Sequence, residues 1–195
     1  MSNNIHAQRT YALVGTGGCG KTTLAEMLLL KTGVLTRLGK MEEGKTARDT
    51  EPAEIKRRGS IQPGFATFMS GDSRHFLVDM PGDGNFVGDI DMVLSGVDAS
   101  LFVIDAVDGV RPLTKRMWAA VQKAGLPTVC AVTKLDRDRA DFDAAFSGLG
   151  AVLGMRTVLL YAPIGSQADF KGVVDVLKSK AYMFGENGEV TEAAV

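Results

Sequence analysis

An α/β fold is predicted, a three-layer sandwich in which a mostly parallel sheet lies between helices. Two features of the 195-residue chain predict it. Short β-rich segments alternate with longer segments of helical period, the order that puts helices on both faces of a parallel sheet. A glycine-rich stretch, GTGGCGKT, also falls between the first strand and the first helix. With 45% hydrophobic residues the chain can bury one real core.

Residues 10–14, Thr-Tyr-Ala-Leu-Val, make a short buried strand ended by Gly15. Residues 22 to about 31 are helical in period, with Leu24, Met27 and Leu28 on one face. From about 36 to 63 the chain is polar and charged, too long for a tight turn, and loops of that size are commonly functional. Residues 65–69 and 74–78 read as two strands joined by Ser70-Gly71-Asp72-Ser73. Phe86, Ile90, Val93 and Val97 recur every three or four residues, so 86–97 is predicted to be a helix. A strand at 99–104 and a helix at 113–124, closed by Gly125 and Pro127, follow. Then come a strand at 128–132, a helix at 140–153 weakened near its end by Gly148 and Gly150, and a strand at 158–161. Beyond 154 the character changes to short β-like pieces at 173–174 and 181–184 and a polar tail. Residues 1–153 are therefore expected to form the core, and 154–195 the beginning of a small inserted α+β subdomain.

Lysine and arginine number 22 against 23 aspartates and glutamates, a net charge of −1, so the whole domain offers no basic field for nucleic acid. Sequence-specific DNA binding is not expected, and an RNA partner would have to meet a local patch. Lys56-Arg57-Arg58 reads equally as a solvated face or as such a contact. Two cysteines make no disulfide framework and suit a reducing compartment. The first residues lack a signal-peptide run, and no apolar run approaches the roughly 18 residues of a membrane span. A cytoplasmic protein with no membrane partner is expected.

Gly15-Thr16-Gly17-Gly18-Cys19-Gly20-Lys21-Thr22 has the G-x-x-x-x-G-K-[ST] spacing of a phosphate-binding loop, in the strand–loop–helix setting that gives it meaning. Glycines let successive backbone N–H groups turn in on an anion, and the helix points its positive end at the same place. Lys21 is expected to reach the β- and γ-phosphates, and the Thr22 hydroxyl to ligate Mg²⁺, with Thr23 at the edge of the nucleotide site. The fold is then a P-loop NTPase sandwich. Cys19 reads as a tolerated side chain at a variable position or, less simply, as a redox-sensitive thiol beside the phosphates.

Such a loop serves ATPases, kinases and GTPases alike. Asp79-Met80-Pro81-Gly82 closes a strand, where Asp79 can hold Mg²⁺ through water and the Gly82 N–H can meet a γ-phosphate, although Asp-Pro-Gly clusters also make plain turns. Thr133-Lys134-Leu135-Asp136 ends a later strand. Asp136 there can accept two hydrogen bonds from the N1–H and 2-amino group of guanine, a pair adenine lacks, while the Lys134 stem lies along the base.

With these residues in this order, the chain resembles the GTP-binding domain of translational GTPases, specifically elongation factor G and its elongation-factor-G-like paralogues, from about residue 10 to 184. The matching segments are ALVGTGGCGKTTLAEMLL for the phosphate loop, EEGKTARDTEPAEIKRRGSI for the first switch, VDMPGDGNFVGDI for the second and AVTKLDRDRADF for the guanine box. YAPIGSQADFKGVVDVLKSKAYMF is similar to the start of the subdomain inserted in elongation factor G. The resemblance implies GTP and GDP as ligands with Mg²⁺, GTP hydrolysis, and the ribosome as partner of a larger parent protein. It places Ser60 where the first switch holds Mg²⁺ through threonine; serine keeps the hydroxyl but loses the methyl that stiffens χ1.

The chain departs from the pattern at four points. Gly18 stands where many relatives have aspartate, and Thr133 replaces the asparagine that ties the guanine box to the phosphate loop. Asp83 replaces the histidine that orients the attacking water, so the catalytic set is Lys21, Gly82 and Asp83, with slow hydrolysis expected. The chain also stops before the family's last guanine-binding loop, as an N-terminal fragment would, and its sheet is expected to lack a final strand and helix. Two other readings compete: a module that holds GTP with little or no hydrolysis, and a P-loop ATPase or small-molecule kinase, against which Asp136 argues.

Overall fold

The computed structural model describes residues 7–37, 62–86, 88–185 and 188–194. In chain order they form β1 (Gln8–Val14), α1 (Lys21–Lys31), β2 (Gly64–Ser70), β3 (Ser73–Asp79), α2 (Gly88–Leu94), β4 (Ala99–Asp105), α3 (Pro112–Ala124), β5 (Thr128–Thr133) and α4 (Phe142–Leu153). Four short strands follow, β6 (Tyr161–Ile164), β7 (Gly172–Asp175), β8 (Lys180–Phe184) and β9 (Val190–Ala194). The first sheet has the order β2-β3-β1-β4-β5. β1 is parallel to β3 and to β4, and the β2–β3 hairpin is antiparallel. The second sheet, β6-β7-β8-β9, is antiparallel throughout.

Side-chain alternation along the central strands builds the layers. Leu13 of β1 and Val103 of β4 join Ala25 and Leu29 of α1 in one cluster, with Leu77 and Phe68 from the hairpin. The intervening Phe102 points the other way, its ring 5.5 Å from that of Trp118 on α3. Ile90, Leu94, Met117 and Val121 of α2 and α3 are buried as well. The helices thus cover both faces of the sheet, as predicted.

The contacts resolve two compact units, one of Met1–Val103 with Pro112–Ala131, the other of Ile104–Arg111 with Val132–Val195. In the second, α4 buries Ala145, Leu149 and Leu153. Its start is set by Asp141, whose carboxylate accepts the Ala144 N–H at 2.8 Å, and its end by Gly154 at φ 67°. No helix of the described residues is long and apolar enough to cross a membrane.

Several elements differ from expectation. The helix foreseen over 86–97 is a 3₁₀ turn at Gly84–Phe86 followed by the shorter α2. Ser95 Oγ donates to the Met92 carbonyl at 2.7 Å and Gly96 N–H closes on Val93 at 3.0 Å, which tightens and ends the helix. The last helix begins at Phe142, not 140, because Asp141 is its extended cap. The strand expected at 158–161 is instead β6, shifted to Tyr161–Ile164, and it pairs with β7 of the antiparallel sheet. The tail read as merely polar supplies β9, in register with β8.

Candidate functional site

The loop after β1 needs its glycines. A Cβ on Gly15 would overlap the Val103 carbonyl oxygen and lie 2.9 Å from Cys19 Sγ. Gly18 and Gly20 have φ of 75° and 94°, the left-handed region. Gly20 caps α1 without a side chain, and the helix has no acidic residue in its first turn. The N–H groups there face no competing carboxylate from the helix itself, so an anion can take them. Lys21 and Thr22 are buried. Lys21 Nζ donates to the Thr16 carbonyl at 2.9 Å and lies 3.8 Å from Cys19 Sγ. Cys19 itself is packed into the apolar cluster with Leu13 and Ala25, 1% exposed, so it behaves as a core side chain. Thr23 points to solvent.

Parallel pairing of β1 with β3 matches Leu13 with Asp79, which carries the Asp79 carboxylate to the loop. Thr22 Oγ1 donates to Asp79 Oδ2 at 2.8 Å, both groups buried. The turn behind it closes on the loop: Gly17 N–H donates to the Gly82 carbonyl at 2.7 Å. A Cβ on Gly82 would overlap Gly17 N and come within 2.5 Å of Lys21 Nζ, so only glycine fits there. The next residue, Asp83, turns its carboxylate along the chain and accepts the Asn85 N–H at 2.9 Å.

A second group of polar residues lies at the end of β5. Thr133 Oγ1 donates to the Ile104 carbonyl at 3.3 Å. Lys134, at φ 59°, sends its ammonium to Asp105 Oδ2 at 2.8 Å. Asp105 is buried, and its other oxygen accepts the N–H groups of Val107 at 2.9 Å and Asp108 at 2.6 Å. Burial pushes this carboxyl up, but the Lys134 hydrogen bond and charge and the two backbone donors outweigh it, and the group sits below the usual carboxylate range. The Asp136 side chain is 67% exposed, with Arg137 Nε at a loose 4.0 Å, so its oxygens are open to a ligand.

Comparison with known proteins gives these two groups a context. The family described as the elongation factor Tu GTP binding domain matches residues 6–189. The chain belongs to this family. It is 35% identical over 190 residues to the "Elongation factor G-like protein" of Mycobacterium tuberculosis, covering 97% of this chain and 26% of that protein. It is 35% identical over 174 residues to "Elongation factor G" of Thermotoga petrophila, covering 89% of this chain and 25% of that one. A crystal structure of a protein from Thermus thermophilus superposes with a TM-score of 0.88 at 41% identity, over 96% of this chain and 28% of the other. The chain spans about a quarter of the length of the curated relatives it matches.

This GTP-binding domain of the elongation factor G type therefore brings Gly15 to Thr22, Asp79, Gly82 and Asp83 together in its first unit and carries Thr133, Lys134 and Asp136 in its second. Ser60 and Lys56-Arg57-Arg58 lie outside the described residues. Reading the sequence missed Asp105. Its signal was available: like Asp79, it is a carboxylate ending an apolar strand before a turn, here Ala106-Val107-Asp108-Gly109.

Proposed function

We propose that this domain binds GTP with Mg²⁺ and hydrolyses it, acting as the nucleotide switch of a cytoplasmic, ribosome-linked translation factor. The observation that carries the reading is the buried Thr22–Asp79 pair beside Lys21, set at the mouth of a glycine loop. A hydroxyl and a carboxylate are hard oxygen donors that suit Mg²⁺, with Ser60 as the third candidate ligand. When bound, Mg²⁺ neutralises charge on the β- and γ-phosphates. The protein supplies the rest. Lys21 exchanges the Thr16 carbonyl for phosphate oxygens, and the N–H groups of residues 17–22 cradle them. Asp136 selects guanine, with Lys134 along the base and Thr133 at the start of the box. Residues 1–153 make up the nucleotide core and 154–195 the start of an inserted subdomain.

Switching falls to Gly82. Its carbonyl accepts the Gly17 N–H, so a γ-phosphate in the cradle would break that bond and free the turn to bring the Gly82 N–H, which belongs to the preceding peptide, to the phosphate. Hydrolysis would let it return. Asp83 follows directly. An ionised carboxylate can accept a hydrogen bond from water but cannot donate one, and it repels charge gathering on phosphoryl oxygens. Its bond to the Asn85 N–H favours a role as an anchor of the second switch. The same bond favours the second reading, a domain that senses GTP and hydrolyses it scarcely at all.

Single-turnover hydrolysis with ribosomes tests both. Slow turnover that Asp83→Ala leaves nearly unchanged is expected. A fall of about a hundredfold, the scale of one lost transition-state contact, would make Asp83 the group that positions water. No turnover above the no-protein rate would support the sensing module.

A further inference from the structure

We propose that Gln167 is a positioning residue for base recognition, joining the turn after β6 to the loop that carries Asp136. The assignment rests on the reading of Thr133–Asp136 as the guanine box. Gln167 meets that loop twice. Its backbone N–H donates to the Leu135 carbonyl at 2.8 Å, and its side-chain Nε2 donates to the Ala140 carbonyl at 3.4 Å. The Leu135 carbonyl belongs to the peptide unit that leads into Asp136. Holding it fixes that peptide plane and hence the direction in which the Asp136 carboxylate leaves the chain. Ala140 closes the other end of the loop, so the two bonds bracket Asp136.

Strain collects at the same place. Among the described residues, four that are not glycine have positive φ: Lys134 at 59°, Arg139 at 65°, Gln167 at 54° and Ser179 at 53°. Three of the four lie in this pair of loops. Such conformations are strained and persist where the surroundings over-determine them. The turn is held from its own side as well. Lys171 N–H donates to the Ile164 carbonyl at 2.9 Å, Phe170 N–H to Gln167 at 3.1 Å, and Asp169 N–H to Ser166 at 3.0 Å. Gly165 at φ 78° leaves no room for a Cβ against the Asp169 carbonyl. The loops flank a cavity of about 640 Å³ lined in part by Arg139, Ala140, Ser166 and Gln167. Gln167 thus bridges a gap instead of filling a packed interface. The base box and the antiparallel sheet also fall in one compact unit.

The test uses the 2-amino group of guanine, which inosine lacks. Dissociation constants for GDP and IDP are measured on the wild type, Gln167→Gly, Gly165→Ala and Asp136→Asn, together with thermal midpoints. Glycine accepts φ 54° and keeps the N–H, so Gln167→Gly removes the side-chain bond without adding strain. The expected result is a loss of about two- to tenfold in preference for GDP over IDP, the worth of one neutral hydrogen bond, with the midpoint held. Gly165→Ala, which displaces the whole turn, should lose at least as much. Unchanged preference in both variants would overturn the assignment, even if their midpoints fall. A wild type without preference for GDP, matched by Asp136→Asn, would instead overturn the base-box reading itself.

Discussion

Replacing Asp105 with asparagine tests the arrangement behind the proposed guanine box. Asparagine keeps a carbonyl oxygen for the Val107 and Asp108 N–H groups, now accepted by Asp105 at 2.9 and 2.6 Å. It removes the negative charge 2.8 Å from Lys134 Nζ and sets an amide NH₂ or a neutral oxygen there. A charge-assisted hydrogen bond of this kind contributes about 1.5–3 kcal/mol. The Lys134 side chain is 36% exposed and can recover water when released, so a loss near the lower end, about 1–2 kcal/mol, is expected at pH 7. The pH dependence has a fixed sign. Folding lowers the Asp105 pKa, so its contribution is present above the unfolded value of about 3.9 and disappears as pH falls through the lower folded value. Urea titrations of wild type and Asp105→Asn between pH 3 and pH 7 should therefore diverge at neutral pH and converge in acid. Curves that run parallel to pH 3, or coincide at pH 7, would refute the idea that Asp105 holds Lys134 as a stabilising ion pair. A released Lys134 should also weaken GDP binding.

Other expectations follow from the same geometry. Asp136→Asn should weaken GTP by roughly 2–4 kcal/mol, a charge-assisted pair, and favour xanthine nucleotides, whose 2-oxo group accepts where guanine donates; calorimetry with GTP and XTP checks it. Lys21→Ala should abolish measurable GTP binding while the far-ultraviolet circular dichroism of the fold stays intact. The Cys130 thiol, pushed up to about 11 by burial, and the core-packed Cys19 should alkylate slowly at pH 8 and only speed up on unfolding, as timed mass spectrometry of iodoacetamide adducts would report.

What could be read in advance divides along physical lines. The conformation of the glycine loop between β1 and α1 was legible because such a turn demands glycines at fixed spacing, and Gly18 and Gly20 do take positive φ. Asp79 was legible as a carboxylate ending an apolar strand, and the parallel register with Leu13 places it at the loop. Features set by distant partners were not. Thr157-Val158-Leu159-Leu160 has a good strand composition, yet pairing begins at Tyr161, opposite Asp175 of β7. β9, with only Val190 as a large apolar residue, exists through its pairing with β8. The Asp105–Lys134 pair joins positions 29 residues apart, and Gln167 acts partly through its backbone N–H, a contact that no residue pattern announces.

Competition titration of the protein with GDP, GTP and ATP, read by displacement of a fluorescent GDP in Mg²⁺ buffer, tests whether the site selects guanine. The two guanine nucleotides should displace the probe, and ATP should fail to do so at a concentration about a hundredfold higher, because adenine lacks the N1–H and 2-amino donors proposed to meet Asp136. Displacement by ATP as effective as by GTP would contradict the assignment of this chain's site to guanine nucleotides.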